Sequence, residues 1–437
     1  MMFTLNTLGL VALGASGVLA DLQPVRRPQP RQILPGIIGE GKDPAEASGL
    51  YKLGLGLNSV PGTVDALRGL IEGGRGKYGK QPQGTKNTAA QVYKEPLTNT
   101  QNSFMAEVGV GQGTYSLIVD TGSSNTWVGN RQKYAPSEAG TQTDQGVSVT
   151  YGSGAFAGRE VQDTVTMGNL TLDQQGIGSS FRSRGFGDDT DGILGLGPVD
   201  LTKGTLFPDT QGTVPTVIDT AVSQGAIGQP VFGVFFRPTS GADPEQVGEL
   251  TIGGADDTRF TSDLMETPLT DRDPASRFWG IELTVLQGDQ EILNNGAGIV
   301  DTGTTLNYLP SDAFEAYLQT TGGEVDEQTG FTRIPADNLD QIPDLTFMTV
   351  NGNNMTLNKY AQLASRNLYE DFGLDDAYLY AWITEMANTG SGGIDFIIGQ
   401  KFLERYYSVY SAVGDGSVSF AETEFTFPDS LDGPGPA

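Results

Sequence analysis

Leu117-Ile118-Val119-Asp120-Thr121-Gly122-Ser123-Ser124 is answered 181 residues later by Gly298-Ile299-Val300-Asp301-Thr302-Gly303-Thr304-Thr305. Each copy runs an apolar stretch into Val-Asp-Thr-Gly and follows it with two hydroxyl residues. The apolar stretches read as buried strands, so each aspartate stands at a strand end, where a lone carboxylate is costly to bury. The interval is about one domain's length, and the matched contexts point to a duplicated unit that brings two carboxylates together. Such a pair can share one proton and activate water. A single Asp-Thr-Gly is usually only a turn after a strand. Its repetition makes Asp120 and Asp301 a candidate catalytic pair.

The rest of the composition leaves little else to do chemistry. The chain has 437 residues and contains neither histidine nor cysteine. That excludes His-dependent triads, imidazole-ligated metals, thiol nucleophiles, disulfides and Cys-ligated zinc. The 61 glycines and 37 % hydrophobic content suit a loop-rich β protein with room for two domains. Residues 1–20 are uncharged, apolar and end Val18-Leu19-Ala20, and they are expected to be a signal peptide, although the usual basic n-region is missing. No later stretch is long and apolar enough for a membrane helix. The protein is therefore expected to be secreted, extracellular and free of the membrane. Residues 21–90 carry a net charge of +4 and residues 91–437 a net of −31. Nucleic acid is not an expected partner for so acidic a body. The charge suits an acidic medium, and the basic segment suits an intramolecular partner at neutral pH.

Regular structure is expected from near Phe104. Phe104, Ala106, Val108 and Val110 alternate, as do Tyr115, Leu117 and Val119 across Gly111-Gln112-Gly113-Thr114, so a hairpin delivers Asp120. Short strands with Gly-rich turns follow to about residue 255, broken by one helix with Pro215 in its first turn, Val217, Ile218 and Val222 inward, and Gly225 as its stop. Gly248–Asp256 closes the first half and polar residues 257–275 read as a crossover. The second half repeats the plan: strands near Trp279–Leu286, a turn at Gly296–Gly298, Asp301, then a helix capped by Ser311 with Asp312 and Glu315 near its positive end. Ile193-Leu194-Gly195 follows the first aspartate, and Ile397-Ile398-Gly399 the second.

From about residue 100 to 425 the sequence resembles the pepsin-like aspartic endopeptidases. Asp120–Val128 and Gly298–Thr305 are similar to the two active-site motifs of that family, and Tyr151-Gly152-Ser153-Gly154 to its flap. Asp191–Gly197 and Phe396–Gly399 resemble the segments beneath each catalytic loop, and Tyr406–Tyr410 the C-terminal strand. The absence of cysteine is shared with the polyporopepsin-like secreted fungal type.

The resemblance implies an all-β fold with a few short helices, built as two β-barrel-like lobes related by a pseudo-two-fold axis around a cleft. The lobes would span 90–260 and 261–430, after a propeptide at 21–85 whose end falls between 79 and 93. It implies a monomeric enzyme without cofactor or metal that hydrolyses polypeptides at acid pH. Gly122 and Gly303 lack a Cβ, so the loops can approach. Thr121 and Thr302 would bond across the axis, and Ser123 and Thr304 would donate to the outer oxygens of Asp120 and Asp301. With the carboxylates about 3 Å apart, one proton stays between them. Tyr151 would shape the main specificity pocket, its hydroxyl held by the Trp127 indole N–H, with Gly152 and Ser153 bonding an extended substrate. Relatives that accept lysine before the cut carry Asp where Ser153 stands, so large apolar residues such as Phe or Leu are expected around the scissile bond. A propeptide lysine, as in Lys77-Tyr78, would lie across the pair as an intramolecular inhibitor.

Other readings of these residues fit the sequence less well. A non-catalytic peptide-binding protein on the same fold would normally have lost an aspartate, the flap tyrosine or a paired glycine. A carboxylate-pair glycosidase needs acids about 5–9.5 Å apart, and a serine-carboxyl peptidase would show its nucleophile motif. Gly152–Gly158 lacks the helix of a phosphate loop. Asp188, Asp189 and Asp191 fall short of calcium-ligand spacing and read as a solvated loop. Asn169-Leu170-Thr171 and Asn354-Met355-Thr356 are glycosylation sequons.

Overall fold

The computed structural model describes residues 91–238, 246–386 and 393–431. The expected signal peptide at 1–20 and propeptide at 21–85, with Lys77-Tyr78, lie outside the described residues.

The architecture is mostly β. One sheet of 14 strands, one of seven and one of three account for the described strands. Phe104–Val110 and Gly113–Asp120 form the expected hairpin, with Val110 opposite Gly113 and Leu117 opposite Ala106. Its alternating apolar side chains are fully buried. Beyond the hairpin the strands are longer than the glycine content suggests: Ala155–Met167 and Leu170–Arg184 have 13 and 15 residues. Bulges near Gly158 and Asp163 bend this ribbon, so glycine acts there as a bend within a strand and not as a stop.

The repeated triplets gain a structural meaning. Gly192–Gly195 lies parallel to Gly113–Asp120, with Asp120 opposite Gly195. In the second half Ile397–Ile398 lies parallel to Gln290–Val300, with Val300 opposite Ile398. Each apolar-apolar-Gly segment is thus the parallel neighbour of a strand that ends in Asp-Thr-Gly. Parallel strands need distant connections, which explains why the triplets sit so far from the aspartates in sequence.

The large sheet draws on both halves of the chain. Val231–Phe236 pairs with the C-terminal strand Tyr406–Ser411, which pairs with Ser417–Glu422. The polar stretch read as a crossover contains one more strand, Met265–Pro268, laid against Ser417–Glu422. The largest apolar cluster among the described residues crosses from Leu97 and Phe104 to Trp279, Phe347 and Phe420. Phe104 stacks on Phe236 with centroids 3.7 Å apart, and Phe232, Tyr410 and Trp279 form a second aromatic cluster. The Trp279 indole N–H donates to Leu196 O at 2.8 Å, a bond between the two halves. Each such buried side chain contributes about 1.5–3 kcal/mol, so the halves are stabilised mainly by the surface they hide from water together.

Local details depart from expectation in three places. The first helix is Val217–Ser223, and Pro215 precedes it; Thr216 is the N-cap and forms a capping box with Asp219. Val222 is only partly buried. The second helix, Ser311–Thr321, has Pro310 at the N-cap position, so Ser311 is its first helical residue and not its cap. Residues 296–298 are no turn but the interior of Gln290–Val300. The turn is at Gly288, between the opposed Gln287 and Gln290.

Candidate active site

Both aspartates are buried where their strands end. Within each loop the carboxylate is held in the same way. Gly122 N donates to Asp120 Oδ1 at 2.8 Å, and Ser123 Oγ donates to Asp120 Oδ2. Gly303 N donates to Asp301 Oδ1 at 2.9 Å, and Thr304 Oγ1 to Asp301 Oδ2 at 2.6 Å. The neighbouring parallel segments hold the loop backbones: Leu196 N donates to Asp120 O at 2.8 Å, and Asp301 N to Ile398 O at 2.9 Å.

The two loops are bolted together by their threonines. Thr121 N donates to Thr302 Oγ1 at 2.9 Å, and Thr302 N to Thr121 Oγ1 at 3.0 Å. Each hydroxyl then donates across the axis, Thr121 Oγ1 to Val300 O at 2.9 Å and Thr302 Oγ1 to Val119 O at 2.8 Å. These are four buried bonds related by two-fold symmetry. With no water to compete, removing any one partner strands a buried polar group.

Burial and mutual repulsion set the charge state. Burial raises the Asp120 carboxyl, and the charge of Asp301 raises it further. Burial likewise raises Asp301, against the stabilising bonds from Thr304 and Gly303. Two carboxylates so placed cannot both ionise, so the pair keeps one proton into the neutral range; the carboxylate pair of aspartic proteases is the general example of this coupling. The proton belongs to the pair and not to either residue.

Tyr151-Gly152-Ser153-Gly154 is the turn between Thr141–Thr150 and Ala155–Met167, closed by Tyr151 N donating to Gly154 O at 2.7 Å. Tyr151 turns inward and packs edge-on against Phe186 at 5.6 Å, while Trp127 stacks on Phe156 at 4.4 Å. Gly152 and Ser153 are half-buried at the turn. The expected bond from Trp127 Nε1 to the Tyr151 hydroxyl is not formed with hydrogen-bonding geometry, and both atoms are buried without a partner. Phe186 packs edge-on against both rings, at 5.0 Å from Trp127 and 5.6 Å from Tyr151, while Trp127 and Ser123 stay near enough to the Tyr151 hydroxyl to act on it. Burial, and after it the Asp120 charge, pushes the Tyr151 hydroxyl well above its ordinary range, with Trp127 and Ser123 opposing. It remains neutral beside Asp120.

Sequence reasoning did not single out several residues around the pair, or gave them another role. Phe186 lies in the Arg184–Asp189 loop, whose composition reads only as a turn. Burial raises Tyr410, whose hydroxyl accepts from Ser408 and lies close enough to Thr121 and Asp301 to respond to both. Tyr308 is buried on the Asp301 side. Asp191, read as part of a solvated loop, is instead buried and holds Arg131 at 3.0 Å, Gln132 N at 2.8 Å and Ser116 N at 3.1 Å. It anchors the loop after Trp127, while Asp188 and Asp189 are exposed. Asn169 and Asn354 are exposed at strand ends.

Comparison with known proteins places this geometry. The family profile described as eukaryotic aspartyl protease matches residues 103–423. The chain is 44% identical over 334 residues to polyporopepsin of Irpex lacteus, covering 76% of this chain and 97% of the relative. It is 30% identical over 351 residues to gastricsin of Cavia porcellus, covering 76% of this chain and 82% of that one. The crystal structure of the aspartic proteinase from Irpex lacteus superposes with a TM-score of 0.75 at 42% identity, covering 78% of this chain and 100% of the other.

Proposed function

The chain belongs to the eukaryotic aspartyl protease family and is an aspartic-type endopeptidase of the pepsin-like fold, and on that premise we propose that Asp120 and Asp301 are the pair that performs hydrolysis. The ionised carboxylate takes a proton from a water held between them, and the water oxygen bonds to the scissile carbonyl carbon. The protonated carboxyl gives its proton to the carbonyl oxygen. As the C–N bond breaks, the carboxyl that took the water's proton gives it to the amine, and the other carboxylate takes a hydroxyl proton from the tetrahedral intermediate as its carbonyl reforms, so the pair is again singly protonated. No covalent enzyme intermediate forms. The observation that carries this reading is the matched support of the two carboxylates, each fixed by its own glycine N–H and hydroxyl across the threonine bolt.

Tyr151, Gly152 and Ser153 would cover the substrate backbone, with Trp127 behind them, and Ser153 favours large apolar side chains at the cut. Residues 21–85 would act as a basic propeptide, removed in acid, and the lobes would correspond to 90–260 and 261–430. Among the described residues no helix is long and apolar enough to cross a membrane. Secretion, a monomeric state and glycosylation at Asn169 and Asn354 complete the proposal. Incubation of acid-treated protein with a denatured protein substrate at about pH 3–5, with and without pepstatin, tests it. Cleavage blocked by pepstatin is expected, with loss of about 65 residues from the chain. Cleavage insensitive to pepstatin, or none, would overturn the reading.

A further inference from the structure

Arg159, Arg182 and Arg184 are exposed on one face of the sheet that carries the flap. Ala157 stands opposite Arg182 and Ala155 opposite Arg184, and directly opposed residues share a face. Arg159 lies two residues beyond Ala157 on the same strand and falls on that face too. Thr150 opposite Ala155 and Ser148 opposite Ala157 share that face, and exposed Phe181 stands at the bulge beside Arg182. The reverse face is apolar, where Val147, Val149 and Phe156 pack with Tyr151 and Trp127.

Among the described residues none of the three arginines joins an ion pair, whereas nearby Arg131 is bound to Asp191 at 3.0 Å. The acidic residues closest in sequence beyond the strip are Asp188 and Asp189, exposed in the next loop, while Glu160 receives the Thr143 hydroxyl. In a body with a net charge of −31, this is an isolated positive strip. It also touches the flap: a Cβ on Gly154 would lie 2.6 Å from Arg184 O, and one on Gly185 would lie 2.0 Å from Ser153 O.

We propose that Arg159, Arg182 and Arg184 form a docking strip outside the cleft for an acidic segment of the polypeptide substrate. This rests on the proteolytic reading of the site. Alternate residues of a strand recur about every 7 Å, so an extended segment with Asp or Glu at alternate positions matches the Arg182–Arg184 spacing. Charge favours this occupant over a second copy of the chain, whose body is repelled overall even where single carboxylates attract. Exposed pairs are individually weak and screened within about 10 Å at 0.1 M salt, so the strip adds to recruitment and not to the chemical step.

The test uses two peptides with one cleavable apolar core, flanked by alternating Asp and Glu or by Asn and Gln, assayed on the acid-treated protein at about pH 5, where most such carboxylates are charged. At low salt the acidic peptide should be cleaved with a kcat/KM about three- to tenfold higher, through KM. That advantage should vanish in about 0.5 M NaCl. R159Q/R182Q/R184Q should erase it and leave the neutral peptide unchanged. A triple variant that keeps the preference, or slows both peptides equally, would overturn the proposal. Anisotropy of the labelled acidic flank alone on the Asp120→Asn protein gives a readout independent of turnover. Weaker binding after the triple substitution is expected, and equal binding or none refutes the strip. Binding without cleavage of either peptide would sink the proteolytic reading and leave the strip standing.

Discussion

Gly122 and Asp301 stand so close that a Cβ added to the glycine would lie 2.5 Å from the aspartate Cγ, and Gly303 bears the same relation to Asp120, at 2.5 Å from Oδ1. Each loop therefore makes room for the other loop's carboxylate. The missing side chains are a condition of the pair and not a feature of the turn alone.

Gly122→Ala and Gly303→Ala should each push the opposing carboxylate out of register. A displacement of about 1 Å at a reacting group costs about 100-fold in rate, so kcat should fall by at least about that much. Steady-state kinetics on acid-treated protein would decide it, and near-normal turnover in either variant would contradict the close approach.

Asp120→Asn and Asp301→Asn should each reduce turnover by at least about 1,000-fold, with circular dichroism unchanged. Because the pair acts as one unit, the double variant should be hardly worse than either single one. Substantial activity in a single variant, or additive losses, would argue against a shared proton.

Thr121→Val and Thr302→Val keep the shape of the bolt and remove its hydroxyls. Each leaves the facing backbone N–H buried and unpaired, at a cost of about 1–3 kcal/mol. Urea unfolding should show this loss, and the double variant should cost less than the sum because both remove one network. Full stability in either would mean the bonds contribute nothing.

Glu95 is buried in the strand Tyr93–Asn99, and burial raises its carboxyl to about 7 from 4.5. A raised acid favours the protonated form in the fold. Its contribution is therefore complete below about pH 4.5 and is lost as pH rises through about 7. Glu95→Gln should leave Tm unchanged at about pH 4 and raise stability by about 1–3 kcal/mol at about pH 7.5. Parallel Tm curves for the two proteins would contradict the assignment.

Asp256 has the opposite sign. Burial pushes its carboxyl up, but Lys94 and Thr258 outweigh that and hold it well below the ordinary range. Its contribution is present above 3.8 and is lost as pH falls below that. Lys94 is half exposed, so Asp256→Asn should cost only about 1 kcal/mol at about pH 5, and less in stronger acid. A penalty that grows on acidification would refute the pairing.

The hairpin Phe104–Asp120 and both Asp-Thr-Gly loops could be read from the sequence because their causes are local: alternation buries one face, and Gly and hydroxyl residues follow the strand ends. Gly298 misled for the opposite reason. It looks like a turn residue, yet a Cβ there would lie 2.4 Å from the Phe396 ring, so its smallness answers a contact 98 residues away. Ser311 was a sound cap by composition, but Pro310 occupies that position. Met265–Pro268 is strand only because Ser417–Glu422 offers it an edge.

The candidate chemistry was legible in the residue types alone. With no histidine or cysteine and one duplicated carboxylate motif, the residue types and their matched hydroxyl neighbours pointed to a proton-sharing aspartate pair as the candidate machinery. Its surroundings came from the packing of distant segments: Phe186 against Tyr151 and Trp127, the Trp279 bond to Leu196, and the buried Asp191 anchor. Periodicity and strand-end chemistry act over a few residues and are written in order along the chain. Which side chain fills the space beside another, across 35 to 83 residues in these contacts, is set when distant strands pack together, and no local pattern records that.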